Sequence, residues 1–152
     1  MKNISVTIER SNTVAPVAAP KIENRKETID VNGSFRIQPG EKKPAGWREL
    51  KKKEEAEALT FQNGTVDFGT KASDLKRYRY LLHNTRYVCK AGDKVTVRYS
   101  AKGKGVFAPG MYFFHDHVRG LSKLETKRTK LNSPDKFTEM EVVFTAQSSP
   151  GK

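Results

Sequence analysis

"KAGDKVTVRYSAKGKG", Lys90 to Gly105, is the stretch on which the fold reading turns. Gly92-Asp93 reads as a turn. After it, Val95, Val97 and Tyr99 alternate with Lys94, Thr96 and Arg98. A strand sends successive side chains to opposite faces, so this is a strand with one apolar and one charged face. The same period recurs in "FTEMEVVFTA", where Met140, Val142 and Phe144 fall on one face, and in "KNISVTIERS", where Ile4, Val6 and Ile8 do. "ETIDVNGSFRI" is a further strand region and "PGEKKPAGW" a loop. "LTFQNGTVDF" places strand residues around Asn63-Gly64, the strongest short hairpin signal. "LKRYRYLLHNTRYVC" alternates charged and aromatic residues, and "GMYFFHDH" reads as another strand. In "ELKKKEEAEAL" the spacing of Glu49 and Lys53 fits one or two helical turns, with a strand equally compatible.

Strands of this length at short spacing, with little helix, predict an all-β fold, an antiparallel two-sheet β-sandwich. The inward face is expected to carry Phe35, Trp47, Val95, Val97, Tyr99, Met140, Val142 and Phe144. The chain has 152 residues, the usual size of one domain, and 36% are apolar. Residues 1–12 form a strand, 13–27 with Pro16 and Pro20 read as a linker, and 28–152 as the sandwich. The first strand is expected either to end a preceding module or to fill a permuted edge, since an open edge invites aggregation.

No apolar run approaches the ~20 residues that span a bilayer, and the first residues lack the apolar core of a signal peptide. Lysine and arginine outnumber acids 29 to 17, a formal charge of +12. Such an excess draws polyanions: nucleic acid, acidic polysaccharide or anionic lipid. The cations are dispersed, Lys102, Lys104 and Lys130 among them, and form no long basic tail. Cys89 is the single cysteine, which excludes an intramolecular disulfide and a thiolate zinc cage. It reads as a small buried strand residue. No Gly-rich phosphate loop, Gly-x-Ser-x-Gly or His-Glu-x-x-His occurs, and no nucleophile–base or carboxylate pair can be placed, so an enzyme is not expected.

"NGSF" (Asn32 to Phe35), "PAGW" (Pro44 to Trp47), Lys90 to Gly105, "GMYFF" and "FTEMEVVFTA" come in an order that resembles carbohydrate-binding modules of the family-four and family-nine type. These are jelly-roll sandwiches of the galactose-binding-like group. The similarity covers about Thr28 to Ala146. Arg36 stands where such modules carry an acidic residue that often ligates structural calcium, which argues against that site. Phe137 stands in place of a Trp. The resemblance implies a noncatalytic module of a larger exported protein, extracellular or periplasmic, that binds polysaccharide and adjoins neighbouring domains. It also makes Trp47 a core residue.

Aromatic side chains suit the C–H face of a pyranose, and arginine suits a carboxylate or sulfate. The candidate carbohydrate-binding residues are therefore Tyr78, Arg79, Tyr80, Arg98, Tyr112, Phe114, His115 and His117. The +12 charge tilts the ligand toward acidic polysaccharide. His115 and His117 share a strand face, but Asp116 points to the other and His83 lies on another strand. Two histidines are a poor metal set, so neither metal nor other cofactor is expected. Nucleic acid is disfavoured, because the aromatic-basic interleaving at "KRYRY" is short. The rival reading is a structural or interaction β-sandwich with no glycan ligand.

Overall fold

The computed structural model describes residues 1–10, 26–50, 59–62, 64–69, 80–84, 86–114 and 122–147. Ten strands are described: β1 (Lys2–Glu9), β2 (Lys26–Ile29), β3 (Trp47–Leu50), β4 (Thr60–Gln62), β5 (Thr65–Asp67), β6 (Tyr80–His83), β7 (Lys94–Phe107), β8 (Gly110–Phe114), β9 (Ser122–Thr126) and β10 (Thr129–Thr145). There is no helix among the described residues. The protein is thus all-β, and every strand pairing is antiparallel.

The main sheet runs β10-β7-β1-β2, with three two-stranded sheets, β3-β6, β4-β5 and β8-β9. Register explains the alternation seen in the sequence. Val6 stands between Ile29 and Val97, and Val97 faces Val142. Two residues on, Ile8 faces Val95 and Val95 faces Phe144. These rungs make one apolar face. The opposite face is polar, with Thr28, Thr7 and Thr96 in one row and Ser5, Arg98 and Glu141 in the next. β1 is an inner strand, with β2 on one side and β7 on the other. Val6 to Ile8 are paired on both sides and Ser5 with β7, while the Ile4 N–H donates to the Gly33 carbonyl. A bulge at Asn3, whose φ is +53°, shifts the register between Lys2 and Ser5.

The core consists of two joined clusters. Ile8, Ile29, Val31 and Val95 are buried, with Ile4, Val6, Trp47, Cys89 and Met111 against them. Phe35, Leu59 and Val66 are buried in the second, with Ile4, Trp47, Phe61, Phe68 and Leu81 around them. Trp47 touches both, so the packing role expected of it is what the structure shows. Its indole N–H donates to the carbonyl of Val31 at 2.7 Å. Of the expected inward residues, Phe35, Val95, Tyr99 and Phe144 are fully buried, whereas Trp47, Val97, Met140 and Val142 are half-buried. Met140 and Val142 belong to the edge strand β10, whose Phe144 is nonetheless fully buried.

The "NGSF" stretch owes its pattern to backbone geometry. Asn32 and Phe35 both have positive φ, at +47° and +50°. Asn32 tolerates that region because its short amide bonds locally. It accepts from the Arg36 N–H at 3.1 Å and donates to the Arg36 carbonyl at 3.0 Å. The turn drops Phe35 into the core. At the far end of β1, Arg10 binds Asp93 at 3.1 Å and Glu27 at 3.2 Å and donates to the Val88 carbonyl. Asp93 is fully buried and also accepts from the Lys90 N–H at 2.8 Å. One arginine thus ties β1, β2 and the turn before β7.

The hairpin expected at Asn63-Gly64 is present as β4-β5, with Gly64 at φ +89°. The Gly92 turn is present, at φ +90°. The "ELKKKEEAEAL" segment begins as the strand β3, and residues 51–58 lie outside the described residues. β2 begins at Lys26, two residues before the expected start of the sandwich at Thr28. β9 and the first half of β10 were not expected, because their lysine-rich sequences carry no clear apolar period.

Candidate functional site

Of the candidate binding residues, Tyr78, Arg79, His115 and His117 lie outside the described residues, as does Asp116. Phe114 ends β8 opposite Ser122. Tyr80 begins β6 opposite Leu50 and is 51% exposed. Tyr112 lies in β8 opposite Leu124 and is 43% exposed. Arg98 projects from the polar face of β7, and its Nε donates to Glu141 on β10. Both partners are about half exposed, so this pair is screened by water and contributes little to stability. Tyr80, Arg98 and the β8 residues Tyr112 and Phe114 therefore sit on three different sheets.

His83 ends β6. It pairs across from Trp47 on β3 and meets the indole edge-on, with ring centres 4.7 Å apart. Its pKa is held below the usual histidine value because burial disfavours the charged ring, with Asp30 offsetting part of this. Cys89 is half-buried against the core, and burial pushes its thiol up, the opposite of an activated thiolate. Among the described residues no group of three or more His, Cys, Asp and Glu converges as a metal site would.

The inner side of the β7–β10 ribbon carries an aromatic row. Tyr99 meets Phe107 at 5.2 Å, and Phe107 meets Phe68 at 5.8 Å. The Tyr99 hydroxyl is buried beside Thr129. Burial pushes its pKa up, with nearby Thr129 offsetting part of the effect. On the other side of the ribbon, Lys102, Lys104, Val106, Lys130 and Asn132 are exposed, Val106 at 70%. Phe137 lies under two ammonium groups, Lys2 at 4.4 Å and Lys102 at 5.1 Å from its ring centre. Sequence reading counted these lysines as dispersed surface charge. The signal available was "KGKG", where glycines at alternate positions leave one face of the strand to lysine.

No protein-family profile, no curated protein and no solved structure matches this chain.

Proposed function

We propose that the protein is a noncatalytic polysaccharide-binding β-module of a larger exported protein, with the two-sheet jelly-roll architecture of galactose-binding-like domains. The observation that carries this reading is the pair of strand tyrosines, Tyr80 and Tyr112, held open at 51% and 43% exposure on an antiparallel frame. A planar, partly exposed ring whose position is fixed by a strand suits stacking on a pyranose. The +12 charge supports acidic polymers, uronate-rich or sulfated, over neutral ones. Asn, Arg and Lys side chains supply donors for hydroxyl, carboxylate and sulfate groups.

A glycan array spanning neutral, uronate and sulfated polymers tests the reading. Binding is expected to acidic members, weakened by Tyr80→Ala and by Tyr112→Ala. Binding to neutral glucan or xylan alone removes the acidic-polymer version and keeps the general one. No binding to any glycan favours the second reading, an interaction module. That reading draws on β10, a 17-residue strand whose outer edge has no strand partner among the described residues.

A further inference from the structure

β7 and β10 run past the end of β1. Beyond Ala101 they continue as a two-stranded ribbon, Gly103–Phe107 against Thr129–Ser133. Burial alternates along the β10 strand of this ribbon, and along β7 except at Gly105, which is exposed. Thr129, Leu131, Ser133, Gly103 and Phe107 are half-buried, whereas Lys130, Asn132, Lys104 and Val106 are exposed. Register sets Lys104 opposite Asn132 and Val106 opposite Lys130. Lys102 continues the same row and caps Phe137, joined there by Lys2. The outer side of the ribbon is therefore a face of ammonium groups about one strand-repeat apart, roughly 7 Å along the chain. Among the described residues Lys102, Lys104 and Lys130 make no ion pair, while the acids at the sheet end differ: Glu141 is taken up by Arg98. No salt bridge among the described residues neutralises these three lysines, and the nearest carboxylate in register, Glu139, stands across Ser100 from Lys2 at the base of the face.

We infer that this face, Lys102, Lys104 and Lys130 with Lys2 at its base, binds a sulfated or uronate polysaccharide chain along the ribbon. The inference rests on the proposed polysaccharide-binding function and gives it a site distinct from the strand tyrosines. Charge complementarity supplies the affinity. The face favours a glycan over a single-stranded nucleic acid for a structural reason. Single-strand binders combine charge with open aromatic planes for base stacking, and Phe137, the aromatic ring of this face among the described residues, is covered by ammonium groups. Lysine reads charge density as a point cation and does not require the planar fork that arginine offers to phosphate.

The test measures binding of the intact protein to heparin, to desulfated heparin and to single-stranded DNA of matched charge. Two triple variants are compared: Lys102→Ala with Lys104→Ala and Lys130→Ala on the face, and Lys26→Ala with Lys42→Ala and Lys90→Ala away from it. Both remove three charges from exposed positions. The face variant is expected to lose roughly tenfold or more in heparin affinity and to show a shallower salt dependence, the control variant only a small part of that. Lys104→Glu alone is expected to fall in the same direction, which guards against a folding defect in the triple variant. Equal losses in both triple variants overturn the assigned face and leave glycan binding standing. Tighter binding to the DNA than to heparin overturns the assigned occupant. Absence of heparin binding by the unaltered protein, with other glycans still bound, overturns the inference alone, and absence of all glycan binding overturns the proposed function with it.

Discussion

Gly33 shows how closely single residues are constrained here. A Cβ at Gly33 would lie 1.5 Å from the Ile4 carbonyl oxygen, a backbone atom that cannot swing aside. The close approach also makes a hydrogen bond, from the Ile4 N–H to the Gly33 carbonyl at 2.9 Å. Gly33→Ala is therefore expected to cost about 3 kcal/mol or more in urea unfolding, among the larger single-residue effects. His83 gives a prediction with a sign. Its folded pKa lies below its unfolded value of 6.5, so the unfolded chain binds the extra proton first. Its contribution is complete above pH 6.5 and is lost as pH falls through 6.5 toward the folded value. Melting temperature measured from pH 8 to pH 5 is expected to fall in that window, and a His83→Gln variant to fall less. Gly46 supports the same ring, since a Cβ there would lie 2.5 Å from the His83 Nε2.

Among the strands, β1 and β7 are hydrogen-bonded on both sides, and β1 brings Ile8 into the centre of the apolar face. Ile8 at 1% exposure faces Val95 at 3%, with Phe144 at 1% in the next strand. Ile8→Ala empties a site that neighbours on three strands cannot refill, and about 3 kcal/mol is expected from denaturant unfolding. Val97→Ala, on the same face but half-buried, is expected to cost about 1 kcal/mol. A reversed ranking would show that the core lies elsewhere along the sheet. β7 and β10 differ from β1 in reaching past the sheet. Their ribbon is stabilised on its inner side by Tyr99, Phe107 and Phe68, which frees the outer side from packing duty.

For the molecule as a whole, net charge is the governing quantity. A +12 chain attracts any polyanion, and that attraction is screened over about 8 Å at physiological salt. Binding to a sulfated polymer is expected to weaken steadily as sodium chloride rises from about 50 to about 300 mM, over which the Debye length falls from about 14 to about 6 Å. Isothermal titration at several salt concentrations measures the slope. Binding that does not respond to salt would place the affinity in the tyrosines and not in the cations.

Local pattern alone determined a good part of this fold. The period-two apolar faces of β1, β7 and β10 were legible because each strand buries one side, and burial writes itself into alternation. The β4-β5 hairpin and the Gly92 turn were legible because only glycine takes those φ values at little cost. Trp47 was readable as core from the resemblance. What needed tertiary structure was everything set by distant neighbours. The inner position of β1 depends on its pairing with β7, some ninety residues away in the chain. Ser122–Thr126 and Thr129–Lys136 look like solvated charge until a partner strand supplies their hydrogen bonds. The candidate residues Tyr80, Tyr112 and Arg98 looked alike in sequence, yet they stand on separate sheets. Lys102, Lys104 and Lys130 are spread over 29 positions, and only the β7–β10 register sets them on one face. A strand's alternation says which residues share its own side, but which sides of two strands coincide is decided by register, and register is a property of the fold.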